Sequence, residues 1–178
     1  MKFLSEKKAL ERLRNQISDL RSEISERYEH RAKSCLTCEV KGSCCLDAHF
    51  VNVHISRLEA VNIRSILDAM PDVRRQNVDK RIDETIERYG LNSEGDTFAR
   101  TYACPLFEAG IGCLVHEAGK PVPCIMHACY EDQSHLPPNE LQVAHEKKID
   151  DLNARTYGRR DRWLPLPLAI SRQGSSRS

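Results

Sequence analysis

The sequence predicts a mainly α-helical fold with short strands, and three observations carry that prediction. Leu10, Leu13, Ile17, Leu20 and Ile24 step by three and four through a stretch free of glycine and proline, which places them on one seam of a helix. Ser56-Arg-Leu-Glu59 has the spacing of a capping box ahead of a second amphipathic run. All eight cysteines fall in two stretches, Cys35–Cys45 and Cys104–Cys129, and the second is broken up by Pro105, Gly110, Gly112, Gly119, Pro121 and Pro123. Glycine and proline at that density make turns and knuckles and not regular elements.

Taken in order, the first helix is expected from Phe3 to about Arg31, on the order of 40 Å long at 1.5 Å per residue. Its narrow seam resembles coiled-coil a and d positions. The helix either folds back on its own domain or serves as an arm for self-association or partner docking. His49–Ile55 alternates as a short strand does. The capping box then starts a helix at about Arg57, with Leu58, Val61, Ile66 and Leu67 inward, and Pro71 ends it. A further helix follows over 72–89 with Val78, Ile82, Ile86 and Tyr89 on one side and Gly90 just past its end. The short connection makes these two helices neighbours. Phe98–Ala103 reads as a short strand or an extended lead-in.

The last predicted helix runs from Asn139 to Tyr157, entered after Pro137-Pro138 and closed by Gly158, with Leu141, Ile149 and Leu152 inward. Trp163–Ile170 carries Pro165 and Pro167 and is expected to be extended yet packed on the body, being too apolar for water. Ser171–Ser178 is expected to be a disordered basic tail. The domain organisation that follows is an amphipathic helix over 1–31, able to act as a coiled-coil arm, a cysteine-cluster domain over 32–158, and a Pro-rich apolar segment with its tail over 159–178.

With 178 residues the chain can bury a moderate core. Its 27 basic and 26 acidic side chains nearly cancel, so no global field draws it to nucleic acid or anionic lipid. Met1-Lys-Phe-Leu-Ser-Glu-Lys-Lys becomes charged before an apolar h-region can form, and no apolar run elsewhere is long enough to span a bilayer. A cytoplasmic protein without membrane or nucleic-acid partners is expected. In that compartment eight cysteines are poor material for four structural disulfides.

Thiolates this dense are most simply explained by shared coordination of a soft metal centre. Cys35 and Cys38 have the Cys-x-x-Cys spacing that reaches one metal from a single turn. Cys44 and Cys45 are adjacent and follow Gly42. Cys104, Cys113, Cys124 and Cys129 lack the second Cys-x-x-Cys of an ordinary zinc ribbon. All eight are candidate metal ligands, enough for two four-coordinate sites or for one with cysteines to spare. A cubane cluster tolerates irregular spacing, and a ligand cysteine followed by proline, as at Cys104-Pro105, occurs in ferredoxin-type runs. The expected cofactor is thus an iron–sulfur cluster of the 4Fe–4S type, or else Zn²⁺. His116 and His127 lie close enough in sequence to complete a site or to support one from behind. The fold expected is a small cysteine-rich, metal-centred domain, mainly α with short strands, with a long N-terminal helix.

The run Cys35, Cys38, Cys44-Cys45, then Cys104-Pro105-Leu106, Cys113-Leu-Val-His116 and Lys120-Pro121-Val-Pro-Cys124 resembles the YkgJ-like cysteine-cluster family, described as zinc- or iron-chelating domains. The order of motifs, the adjacent cysteine pair, the Cys-Pro and the Pro-x-x-Cys all match. The sequence departs from the family pattern in spacing its first motif Cys-x2-Cys-x5-Cys-Cys and in having His116 for a tyrosine. It also has Lys120 for an arginine, Ile125 where arginine follows the cysteine, and Cys129 as an addition. The resemblance spans about Cys35 to Tyr130 and implies metal chelation; some family members, similar to flagellin lysine methylases, are tied to a reaction.

Two function classes follow. The first is a metal-binding module, structural or electron-carrying, that serves a partner or a second copy through the N-terminal helix. The second is an enzyme working by methyl transfer or thiol redox chemistry, with catalytic residues that the sequence does not designate. Ala109-Gly-Ile-Gly112 is too short for a nucleotide loop after a strand, and Cys35-x-x-Cys38 lacks a surrounding βαβ pattern. The binding module is therefore favoured.

Overall fold

Ser5 starts the first helix by accepting the Lys8 N–H on its hydroxyl at 3.4 Å, so the predicted N-terminal helix begins three residues later than Phe3. The structure, a computed structural model, describes residues 3–33, 42–46, 51–127, 129–130 and 132–174, apart from the side chains of Lys33, Ser43 and Cys129. The first elements are α1 (Glu6–Arg27), β1 (Ala32–Lys33), α2 (Ser43–Leu46), β2 (His54–Ile55), α3 (Arg57–Asp68) and α4 (Asp72–Arg88). After them come β3 (Phe107–Glu108), β4 (Gly112–Cys113), α5 (Val122–Met126), β5 (Cys129–Tyr130), α6 (Asn139–Tyr157), β6 (Leu164–Pro165) and α7 (Leu166–Gly174). The fold is mainly helical. Its strands are two-residue antiparallel ladders, β1 with β5, β2 with β6 and β3 with β4. No helix among the described residues is long and apolar enough to cross a membrane.

The seam of α1 is buried through Ala9, Leu13, Ile17, Leu20 and Ile24 and packs on α6, α5 and α3. These residues form one core with Leu58, Val122, Ile125, Met126, Ile149 and Leu152. Of the two readings of the apolar stripe, the structure shows the helix folded back on its own domain, with the stripe taken up inside the chain. Tyr157 pins the start of α1 by donating its hydroxyl to Glu6 at 2.8 Å, while the Arg57 guanidinium lies 4.1 Å over the same ring.

The capping box forms as expected. Glu59 N–H donates to the Ser56 hydroxyl at 3.3 Å, and the Ser56 N–H and hydroxyl both donate to Glu59 Oε2 at 2.8 Å. Leu58 faces the first core, while Ala60, Ile63 and Leu67 belong to a second core with Val78, Ile82, Tyr102, Leu106, Leu166 and Ile170. A helix covered on both sides explains why Val61 and Ile66, expected inward, are only half-buried while Ile63 is fully buried. Gly90 follows α4 at φ 58°, and Leu91 N–H returns to Ile86 O at 2.9 Å, closing the helix. Gly158 ends α6 in the same left-handed region, φ 79°.

The structure corrects several local expectations. Trp163–Ile170 is not extended throughout: β6 pairs Leu164 with Ile55, and α7 follows at once. Pro167 sits in the first turn of α7, where the missing N–H has no intrahelical partner to lose. Leu166, Pro167, Ala169 and Ile170 are buried where α7 packs on both α3 and α4. Of the expected tail, Ser171–Gly174 completes α7, and residues 175–178 lie outside the described residues. Of the two readings of Phe98–Ala103, the strand does not form: Thr97–Ala99 is a 3-10 turn capped by Asp96, and the chain from Arg100 to Ala103 is an irregular lead-in. The strand expected over His49–Ile55 is confined, among the described residues, to His54–Ile55, and residues 49 and 50 lie outside them.

Candidate metal centre

Cys44 and Cys45 sit on the single turn of α2, which Gly42 makes possible. Gly42 has φ 80°, and its carbonyl accepts the Cys45 and Leu46 N–H groups at 2.8 and 2.9 Å. A Cβ at Gly42 would stand 2.0 Å from the Phe107 ring, so the turn needs glycine both for its conformation and for its closeness to β3. Cys104 reaches α2 directly, its N–H donating to the Cys45 carbonyl at 2.7 Å. This bond joins the two cysteine-rich stretches. Upstream of it the fully buried Tyr102 fixes the strand-like lead-in, with its N–H on Val51 O at 3.0 Å and its hydroxyl on Val53 O at 2.5 Å. Downstream, Arg81 of α4 donates Nε to the Pro105 carbonyl at 3.1 Å.

The β3–β4 hairpin brings Cys113 opposite Phe107, and Leu114 N–H donates to Leu106 O at 2.9 Å. Cys113 is thereby returned towards Cys104. Cys124 comes from α5, whose Val122, Ile125 and Met126 are buried in the first core. At the far edge of the region, the β1–β5 ladder sets Lys33 opposite Cys129. The chain therefore enters residues 34–41 from a strand paired with the last cysteine, and leaves them at Gly42 beside the adjacent pair.

Cys44, Cys45, Cys104, Cys113 and Cys124 are half-buried free thiols. Burial and the charges around them shift each of these thiols. A hydrogen bond from the Cys45 thiol lowers Cys44 to about 6, with the charges of His127 and Lys120 assisting against burial. The same bond, then burial, then charge on Cys44, Cys104 and Cys124 raise Cys45. Burial pushes Cys104 up to about 12, Cys113 and Cys44 add to the rise, and the backbone N–H groups of Leu106 and Phe107 reach its sulfur and oppose it. Burial also raises Cys113, against the Val115 N–H and the charges of Lys120 and Arg21. Cys124 is raised by burial and by Cys104, with Lys120 opposing. Backbone N–H groups directed at sulfur stabilise thiolate charge and tune thiolate-bound metals.

Of the eight candidate ligands, Cys35 and Cys38 lie outside the described residues, as does the Cys129 side chain. His116 is half-exposed and its Nε2 faces Glu117 at 3.9 Å. His127 is exposed, and its charge reaches Cys44. Among the described residues, no group of three or more His, Cys, Asp or Glu side chains stands in an arrangement that could hold a metal ion. The chemistry of the donor set fits a soft metal, being thiols with N–H support, whereas the described side chains do not form a closed coordination shell.

Sequence reasoning passed over Lys120 as a cation for this region; it lies four residues before Cys124, and its charge is felt at Cys44, Cys113 and Cys124. It also treated Glu59 only as a cap. The flanking Leu58, Ala60 and Val61 were the signal that this carboxyl would be enclosed, and Glu59 is 2% exposed with Oε1 unpartnered. The chain matches no family model, no curated protein and no solved structure, so the reading of the site stands on its own residues.

Proposed function

We propose that this chain is a cytoplasmic cysteine-ligated metal protein, related to the YkgJ-like cysteine-cluster domains it resembles. It holds an iron–sulfur cluster of the 4Fe–4S type in preference to Zn²⁺ and serves a protein partner as a structural or electron-transfer module. The observation that supports this reading is the Cys104 N–H bonded to the Cys45 carbonyl at 2.7 Å, which joins the two cysteine-rich stretches, with Cys113 returned opposite Phe107 on the hairpin that follows. The ligands are drawn from Cys44, Cys45, Cys104, Cys113 and Cys124 together with Cys35, Cys38 and Cys129. A cluster bound there supplies one-electron chemistry, whereas zinc supplies only a cross-link.

The chain's own contribution is positional. The Cys104 N–H on the Cys45 carbonyl and the β3–β4 register hold the backbones of distant cysteine-bearing segments together, and the N–H groups of Leu106, Phe107 and Val115 offset charge on Cys104 and Cys113. The partner docks on the polar face of α1, since the apolar seam is occupied. A second reading, thiol redox chemistry, is favoured by the adjacent free thiols Cys44 and Cys45, the first of them lowered to about 6. Metal content of variants separates the two. Cys44→Ser and Cys104→Ser should each lose most of the bound metal while His145→Ala keeps it; equal retention in all three refutes the ligand assignment and leaves the redox reading.

A further inference from the structure

A cleft of about 390 Å³ opens between α1 and the segment that runs from β4 into α5, within the size range of about 300–1,000 Å³ that takes small molecules. Ser18, Ser22 and Ser25 line it from α1, spaced by four and three so that their hydroxyls share one helix face. None of these hydroxyls is bonded to another described residue. Arg21, on the same face, uses Nη1 on the Glu117 carbonyl at 2.6 Å and on Glu117 Oε2 at 3.1 Å, leaving its other guanidinium N–H groups available. Opposite them stand His116 and Lys120. Lys120 is half-buried and has no ion-pair partner among the described residues.

The lining is thus rich in donors. It has two carboxylates: Glu117 is tied to Arg21 and its side chain is 83% exposed, and Glu29 is exposed at the 3-10 turn after α1. Unspent hydroxyl, guanidinium and ammonium donors around one cleft match a group that only accepts, and charge-assisted bonds of this kind are the strong ones. The side chains of Ile24 and Ile125 add apolar surface for the rest of such a molecule.

We infer that this cleft binds a small molecule through an oxyanion, a carboxylate or a phosphate, held by Lys120, Arg21 and the serine hydroxyls of α1. The inference rests on the cleft alone and does not require metal at the cysteines. The test is a titration of the full-length protein, its metal content measured first, with sodium phosphate and separately with sodium acetate at constant ionic strength, following the His116 ring resonances by NMR. At least one anion should give a saturable shift, and the stronger of the two identifies the oxyanion class. Lys120→Gln should weaken that binding at least tenfold and Ser22→Ala by a smaller factor. Lys148→Gln, in the neighbouring groove between α1 and α6, should leave it unchanged. No saturable shift with either anion, or equal weakening in Lys148→Gln, overturns the inference. Ser22→Ala keeps it open to refutation should Lys120→Gln fail to fold: wild-type affinity in a folded Ser22→Ala protein contradicts the assigned hydroxyl contact.

Discussion

At Gly42 one hydrogen atom in place of a methyl group decides whether the adjacent cysteines can sit beside the Cys104 hairpin. The left-handed φ of 80° costs a non-glycine residue roughly 1–2 kcal/mol, and the Phe107 ring occupies the space a Cβ needs. Gly42→Ala should lower stability by at least that amount. In a double-mutant cycle read by denaturant unfolding, the loss should be smaller in a Phe107→Ala background, because the collision is gone while the conformational cost stays. Additive losses would show that the two residues do not meet. Glu59 offers a second test at this scale. Burial, only partly offset by the Ser56 N–H and hydroxyl, raises its carboxyl from 4.5 to about 7. The folded chain therefore keeps a proton that the unfolded chain releases above 4.5, so stability falls as pH rises from about 4.5 to about 7 and is level beyond. The full change is on the order of 3 kcal/mol. Glu59→Gln retains the cap and should flatten that window in unfolding midpoints measured across pH; an unchanged slope would mean another group causes it.

Among the elements, those that declare themselves locally were legible in the sequence. The Ser56–Glu59 box, Gly90 and Gly158 mark ends of α3, α4 and α6 through bonds made within a few residues. What was not legible depended on contacts distant in the chain. Pro167 was weighed as a breaker because a window of sequence does not show that α7 begins one residue before it, and that start is fixed by Leu166 N–H donating to Val53 O at 2.9 Å. The two sides of α3 were likewise hidden, since a helix buried on both faces loses the single stripe that periodicity reads. The seam of α1 was plain, but its partner was not, because a stripe looks alike against α6 and against a second copy. Leu13→Ala and Ile170→Ala distinguish these cases. Each residue is fully buried, so each change should cost about 2–5 kcal/mol, and Leu13→Ala should leave the hydrodynamic size unaltered. A change in oligomeric size with little loss of stability would instead make the α1 seam an intermolecular contact.

Across the whole molecule, α3 divides two cores, one closed by α1, α5 and α6 and the other by α4 and α7, and the described cysteines are drawn from both sides. Cys124 is carried by an element of the first core, while Cys104 and Cys113 pack against the second. The sequence named these residues because cysteine in two dense stretches is conspicuous. It did not show that one backbone bond, Cys104 to Cys45, fastens the stretches together, since nothing local encodes a partner about sixty residues away. A scaffold with two apolar cores has support beyond its sulfurs, so removal of metal should loosen the cysteine region ahead of the helical body. The most direct measurement is the iron, acid-labile sulfide and zinc content of the protein purified without oxygen, read together with its absorption. The account predicts a brown protein with broad absorption near 400 nm and iron matched by sulfide, or, for the zinc form, a colourless protein with stoichiometric zinc. A protein carrying neither metal, with its thiols all free or paired as disulfides, would contradict it.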